Sequence, residues 1–364
     1  MSEPGSATLA PGAVIGILGG GQLARMMALA AFRLGYRVAL YDPDRTPPAG
    51  DLCPRHFCAA YNDLTALGAF ADHCSVVTYE FENIPVATAR HLARLVPVRP
   101  GPLALERSQD RLAEKSFLHS AGARTAPFFA VETAGELDDA LAETGGQGIV
   151  KTRRLGYDGK GQVRIRGVEG LEDAQELIAA QPCILEGFVE FDREISVIAA
   201  RSATGEFRAY DPAENVHEDG ILQTSTLPAR IDRQVAEQAK SIARGILEAL
   251  DYCGVMGVEF FVSGRELHVN EIAPRVHNSG HWTEAACLVS QFEQHIRAVC
   301  GLPLGDPARH SDCVMENLIG SEVERAAGFL ARGDAMVHLY GKRQVREGRK
   351  MGHVTTLHPR MNER

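Results

Sequence analysis

Two glutamates and an asparagine on neighbouring apolar runs set the chemistry to look for. Gly257-Val258-Glu259-Phe260-Phe261-Val262 and Leu267-His268-Val269-Asn270-Glu271-Ile272 read as strands joined through Ser263-Gly264-Arg265-Glu266, a hairpin pattern. Whether the loop has two, three or four residues, Glu259 falls opposite or diagonal to Glu271. Like charges at that range destabilise a sheet. A divalent cation turns the repulsion into ligation, and carboxylate oxygens with the amide of Asn270 suit Mg²⁺ shared with substrate phosphates. The competing explanation is a pair of acids on a solvated edge. Arg275, His277 and Asn278 follow at once, ahead of a helical run from Trp282 to about Val299 that ends at Gly301. Cationic and amide groups against a helix N-terminus, with Asn278 or Ser279 as cap, make an anion site.

A second constellation lies upstream. Ile149-Val150-Lys151 is an apolar strand end carrying a lysine, and Gly156, Gly159 and Gly161 punctuate the loop that follows before Val163-Arg164-Ile165 resumes alternation. Such a backbone can take positive φ and approach a ligand without Cβ obstruction. With Lys151, Arg153, Arg154 and Lys160 around it, the loop suits phosphates. It is not a P-loop, since no Gly-Lys-Ser/Thr follows at the required spacing. A spare glycine hairpin is the plainer alternative. Near the C-terminus, Lys342, Arg343, Arg346, Arg349 and Lys350 fall within nine positions, either a solvated turn or a patch that pins a substrate phosphate.

Elements must hold these groups together. Ala13 to Leu18 is a buried-type strand running into Gly19-Gly20-Gly21-Gln22, then a helix to about Leu34 and a strand over Arg37 to Asp42. Gly19-x-Gly21-x-x-Ala24, with Asp42 beyond, satisfies a dinucleotide fingerprint and keeps a nicotinamide or flavin dehydrogenase open. The strand Ser75 to Glu80 ends in Glu80-Phe81-Glu82; Glu80 is expected at a ligand and Glu82 in solvent. Cys183 to Val189 is a strand leaving through Gly187, Phe191 to Ala200 a long strand carrying Glu194, Glu214 to Gly220 a polar turn, and Ile231 to Leu250 a helix.

The chain has 364 residues, 45% of them hydrophobic and 23% charged, which is ordinary for a globular protein of two or three domains. A net charge of −9 argues against a nucleic-acid partner. No apolar run reaches a membrane span and no signal-peptide core is present. Eight scattered cysteines, without C-x-x-C, fit reduced thiols in a cytoplasm, most of them small core residues. The expected organisation is a disordered tail over 1–12, a Rossmann-like α/β domain over 13–105, an α+β central domain over 106–303 and a small β-rich module over 304–364.

The order of these parts resembles the ATP-grasp superfamily. Within it, Gly19-Gly20-Gly21-Gln22-Leu23, Gly156 to Gln162, His217-Glu218-Asp219-Gly220-Ile221-Leu222, Asn270 to Trp282 and Gly348-Arg349-Lys350-Met351-Gly352-His353 resemble the N5-carboxyaminoimidazole ribonucleotide synthetase family. The run from 270 to 282 is the most specific. The resemblance implies ATP- and bicarbonate-dependent carboxylation of 5-aminoimidazole ribonucleotide in a cytoplasmic homodimer, with Mg²⁺. Arg111 and Lys151 would hold the ATP phosphates under a flap of Gly156, Tyr157, Asp158, Gly159, Lys160, Gly161 and Gln162. Backbone groups of Glu186, Gly187, Phe188 and Val189 would read adenine, Glu194 the ribose, and His217 would touch nucleotide. Glu259 and Glu271 would hold the metal, assisted by Asn270. Arg275, His277 and Asn278 would seat bicarbonate. Gln22, Glu80, Tyr157, Asp158, Lys342, Arg349 and Lys350 would hold the ribonucleotide, with Asp158 taking a proton. Members of the family usually continue past the Gly-His of the basic turn with a further helix, whereas His353 lies eleven residues from Arg364. A formate-activating relative, the glycinamide ribonucleotide transformylase, is the nearer rival, and a catalytically dead ATP-binding module the more distant one.

Overall fold

The computed structural model describes residues 8–156 and 161–360. Three sheets organise them. The first is parallel, built from β1 (Val14–Leu18), β2 (Arg37–Tyr41), β3 (Arg55–Phe57) and β4 (Val76–Tyr79) in the order β3-β2-β1-β4. Its central strands are almost wholly buried, which is why they read as continuous apolar runs. The second is antiparallel, with β5 (Phe128–Val131), β6 (Gln147–Thr152), β7 (Gln162–Arg166) and β8 (Cys183–Glu186) in the order β5-β8-β6-β7.

The third sheet has nine strands: β9 (Arg193–Arg201), β10 (Phe207–Ala209), β11 (Ala213–Glu218), β12 (Ile221–Leu227), β13 (Gly254–Ser263), β14 (Glu266–Ala273), β15 (Asp312–Ile319), β16 (Ala335–Leu339) and β17 (Lys350–His358). The order is β14-β13-β9-β11-β12-β15-β17-β16, with β10 on β9. The C-terminal strands therefore extend the central sheet, through antiparallel pairing of β12 with β15. The helix Arg233–Ala249 buries Val235, Ala239, Ala243, Ile246 and Leu247 against Val197, Val258 and Phe260. A further core joins the N-terminal unit to the rest, since Met27 and Ala31 of the helix Gln22–Arg33 share it with Phe292 and Ile296. Within the segment 1–12, the Leu9 amide bonds the Cys300 carbonyl at 2.9 Å. All eight cysteines are free and six are buried.

Two elements differ from the sequence reading. The run from Trp282 is broken into helices Thr283–Ala286 and Gln291–Val299. Ser290 starts the second by accepting from the Glu293 amide, a Ser-x-x-Glu start signal that the apolar periodicity masked. Glu214 to Glu218 belongs to β11, and only Asp219-Gly220 turns. Both turn residues have positive φ, +50° and +78°, so this is an Asp-Gly two-residue hairpin.

Gly19 leaves β1 at φ +92°, and a Cβ there would stand 2.5 Å from Cγ of Glu80. Gly19→Ala is expected to cost about 2–3 kcal/mol through backbone strain and overpacking. Thermal or denaturant unfolding measures it, and an unchanged midpoint would contradict the packing described.

Candidate active site

The glycine turn after β1 is already filled by the chain. Asp42 Oδ2 accepts from the Gly20 amide at 2.7 Å, and the two Glu80 oxygens accept from the amides of Gly21 and Ala24. A Cβ on Gly20 would lie 2.6 Å from Pro47. The amides that would bind a pyrophosphate are thus committed to two carboxylates, and Asp42 ties down the turn instead of meeting a ribose. This overturns the dehydrogenase reading. Glu80, expected at a ligand, also anchors the helix start that presents half-buried Gln22.

The hairpin of β13 and β14 turns through two residues, Gly264 and Arg265, and carries a bulge. Val258 pairs Ile272 and Phe260 pairs Val269, so Asn270 and Glu271 together face Glu259. Backbone groups beside the bulge, on the strand that edges the sheet, find partners on one helix, Arg111–Ser120. Lys115 Nζ donates to the Asn270 carbonyl at 2.6 Å, and Glu114 Oε1 accepts from the Ile272 amide at 2.7 Å. Burial, reinforced by the Glu271 charge, pushes Glu259 up to about 7. Two carboxylates converging on one place, one of them buried, form a hard-oxygen donor set that fits Mg²⁺. Bound there, Mg²⁺ would neutralise phosphate charge.

The side chain of Glu186, for which the sequence reading offered only a backbone role, has a partner set of its own. Its carboxylate, almost wholly buried, lies 3.0 Å from Lys151 Nζ and 3.4 Å from Lys115 Nζ. Burial opposes ionisation, but the two ammonium groups outweigh it and hold the acid down at about 2. Lys115 was missed because a lysine inside a helical pattern reads as a solvated face, yet it is 1% exposed. In the run after Glu186, the Gly187 amide is given to the Pro127 carbonyl at 2.8 Å. Phe188 and Val189 are half-buried beyond it.

Around the glycine loop, Arg111 donates to the carbonyls of Thr152 and Gly156, at 3.3 and 2.9 Å, so it braces the loop's first limb. Arg153 and Arg154 pair with Asp110, at 2.9 and 3.4 Å, and are not the bare phosphate cations the sequence suggested. Gly161, at φ +68°, closes the other limb against Thr152. Gln162 pairs with Lys151 across β6 and β7. Tyr157, Asp158, Gly159 and Lys160 lie outside the described residues.

Glu194 and His217 meet, with 2.7 Å between a carboxylate oxygen and Nδ1. Burial lowers the imidazole's proton affinity, but the Glu194 bond and nearby carboxylates raise it above the ordinary value overall. Arg275 ion-pairs with Glu82, correcting the expectation of a solvated acid. Burial raises Glu82 and the Arg275 pair lowers it further, so it is held ionised. His277, not Asn278 or Ser279, caps the short turn Asn278–Gly280. Ser196 donates to Ser279 Oγ at 2.6 Å, and Ser279 Oγ lies 2.8 Å from His277 Nδ1. That chain leaves Nδ1 as acceptor and the ring proton on Nε2, 3.5 Å from Glu259. Burial, with Arg275 beside it, keeps His277 well below its ordinary value and neutral. Both polar side-chain atoms of Asn278 are buried without a hydrogen-bond partner, as a seat for a small anion or acid requires.

Of the basic turn, Lys350 is near enough for its charge to lower Glu82 and Glu259. Lys342 Nζ reaches the Lys350 carbonyl at 2.6 Å, and Arg349 the Gln344 carbonyl at 3.0 Å, so these two brace the turn.

Glu114 yields a pH test. Burial first, then the Glu271 charge, pushes it up to about 8 from 4.5. Its contribution to stability is complete below the unfolded value of 4.5 and is lost as pH rises through 8. Glu114→Gln keeps an acceptor for the Ile272 amide and does not titrate. Relative to the parent, the variant should gain stability steadily from about pH 5 to 8, on the order of 3 kcal/mol, in metal-free denaturation. A pH-independent difference would refute the assignment.

Comparison with known proteins agrees with this architecture. A ribonucleotide synthetase preATP-grasp domain matches residues 13–109, an ATP-grasp domain 116–292, and a phosphoribosylaminoimidazole carboxylase C-terminal domain 313–364. The N5-carboxyaminoimidazole ribonucleotide synthase of Brucella melitensis biotype 1 is 55% identical over 356 residues, 97% of this chain and 98% of its own. The crystal structure of the Staphylococcus aureus synthetase complexed with ADP superposes with a TM-score of 0.92 at 38% identity, covering 98% of this chain and 95% of that one. The synthase of Aspergillus clavatus, in complex with ADP and 5-aminoimidazole ribonucleotide, superposes with a TM-score of 0.90 at 30% identity, covering 96% and 94%. With its three sheets, its carboxylate bulge and its lysine-bearing strand, the chain belongs to the N5-carboxyaminoimidazole ribonucleotide synthase family of the ATP-grasp superfamily.

Proposed function

We propose that each part of the site serves one stage of an ATP-dependent carboxylation. The protein is a ligase that joins bicarbonate to 5-aminoimidazole ribonucleotide, releasing ADP and phosphate, in purine biosynthesis. The observation that carries the assignment of the site is the joining of its two halves: His277, in the anion-binding run, faces Glu259 of the carboxylate pair at 3.5 Å. In this reading, activation of bicarbonate and neutralisation of the transferred phosphoryl group are tasks of adjacent side chains.

Lys151 and Lys115, preset by Glu186, meet the ATP phosphates, and Phe188 and Val189 supply the adenine edge. Glu194 and His217 take the ribose side. Glu259 and Glu271 hold Mg²⁺, which supplies charge neutralisation for the phosphoryl group. Arg275, steadied by Glu82, seats bicarbonate with His277 and Asn278. A bicarbonate oxygen attacks the γ-phosphorus in line and ADP leaves, giving carboxyphosphate. That mixed anhydride is labile in water, so a closed flap from Gly156 to Gln162 is required. The exocyclic amine of the ribonucleotide then takes the carboxyl group, phosphate departs, and the amine proton is lost; Asp158 is the proposed acceptor. Gln22 and Lys350 face the ribonucleotide, with Lys342 and Arg349 shaping the turn. The family resemblance further supports a homodimer working in the cytoplasm; among the described residues no helix is long and apolar enough to cross a membrane.

ADP release with purified protein, ATP and Mg²⁺ tests the reading, and should require both bicarbonate and the ribonucleotide. Turnover supported by formate in place of bicarbonate would favour the transformylase instead. Arg275→Ala should reduce bicarbonate-dependent turnover by about 10²–10³-fold, the range seen when one transition-state donor is removed. Near-normal product formation would remove Arg275 from the site.

A further inference from the structure

A second cluster of ligating side chains lies away from the carboxylate bulge, where the C-terminal strands meet the segment Thr283–Ala286. His338 on β16 and His353 on β17 are direct cross-strand partners, their rings stacked at 4.7 Å and 16°. Glu284 reaches them from the short helix, with 3.1 Å between its Oε2 and His338 Nε2. One ligand atom from each of the three lies within 4.8 Å of the others.

Each of these groups has a buried polar atom without a hydrogen-bond partner: His338 Nδ1, His353 Nε2 and Glu284 Oε2. His353 is wholly buried and its Nδ1 is 2.8 Å from the Tyr340 hydroxyl. Its Nε2 is buried with no hydrogen-bond partner, in either tautomer. An orphaned buried polar atom costs roughly 1–3 kcal/mol. If Nδ1–H donates to Tyr340, Nε2 presents a bare lone pair towards the cluster. That is the outer-sphere arrangement of a metal-bound imidazole. Glu284 is a mostly buried carboxylate whose ion-pair partner, among the described residues, is His338.

We propose that Glu284, His338 and His353 form a site for a divalent transition-metal ion of the zinc class, which fastens the β16–β17 hairpin to the central part of the chain. Two imidazoles and one carboxylate suit Zn²⁺ or Co²⁺ and not Mg²⁺, whose ligands are oxygens. Around a tetrahedral ion the donor atoms stand about 3.4 Å apart. Two nearly parallel rings cannot aim their in-plane lone pairs at one ion, so reaching this takes a turn of the His338 ring, 23% exposed, out of its stack on His353, with Glu284, 21% exposed, following it. The exposed side leaves a fourth position for water and a path of entry. The ion would sit at the loop end of the hairpin, directly below the basic turn, and so would stiffen the platform carrying Lys350.

The full-length protein, stripped with chelator and held in excess Mg²⁺ to fill the carboxylate pair, is titrated with Co²⁺ and then Zn²⁺. One equivalent of Co²⁺ should produce the visible absorption of a low-coordinate imidazole site, Zn²⁺ should bleach it, and either ion should raise the unfolding temperature. His338→Gln and Glu284→Gln should each weaken Co²⁺ binding by at least about tenfold while leaving Mg²⁺-dependent turnover in place. Using two variants guards against one that fails to fold. Neither absorption nor thermal shift in the parent, or Co²⁺ binding by both folded variants as tight as the parent's, would overturn the site and leave only a Glu284–His338 pair.

Discussion

The bulge in the β13–β14 hairpin is the constraint on which the rest of the site depends. Setting Asn270 and Glu271 against the single residue Glu259 interrupts the ladder, and β14, at the edge of the sheet, leaves a carbonyl and an amide beside the bulge for other partners. Two consecutive residues of one helix take them up, Lys115 the carbonyl of Asn270 and Glu114 the amide of Ile272. Because Lys115 also reaches Glu186, and Glu186 reaches Lys151, the bulge is linked without a gap to the strand that leads into the glycine loop. A like-charge pair that would weaken an ordinary sheet is thereby held in place by a buried network, and the same network positions Lys115 and Lys151.

The N-terminal sheet is attached to this centre by carboxylates. Glu80 and Asp42 fasten the glycine turn internally, and Glu82, two residues beyond Glu80, crosses to Arg275. Strand β4 thus sends one acid to its own domain and one to the neighbouring one. Opposite, the helix Gln22–Arg33 shares a core with the helix Gln291–Val299. Apolar burial sets the distance between the two units, and the Glu82–Arg275 pair sets the position of the guanidinium.

Much of this was legible in the order of residues. The hairpin glutamates, Lys151 and its loop, and the Arg275-to-Asn278 run are local patterns whose chemistry shows in the residue types. What escaped was long-range. Lys115 and Glu114 look like helix-surface charges until the bulge 155 or more residues away claims them. Glu82 looks solvated until Arg275 arrives, 193 residues on. The dinucleotide fingerprint misled for the same reason: Gly19 and Gly21 are there for the close approach of Glu80, which a pattern of six residues cannot reveal. The Asp219-Gly220 turn was a missed local signal, masked by the polar character of β11.

Strand β17, which begins at Lys350, stands five places from β13 in the strand order. Laid flat, strands about 4.8 Å apart would set Lys350 and Glu259 roughly 24 Å apart. Yet β17 packs against the helix Thr283–Ala286, which follows β14 in the chain. Right-handed strand twist coils a sheet in the way that leans its far strands over its near ones. The gap between the basic turn and the carboxylate pair is then a property of curvature. It is gauged by the number and twist of the intervening strands, and a chain that altered either would move the turn relative to the acids.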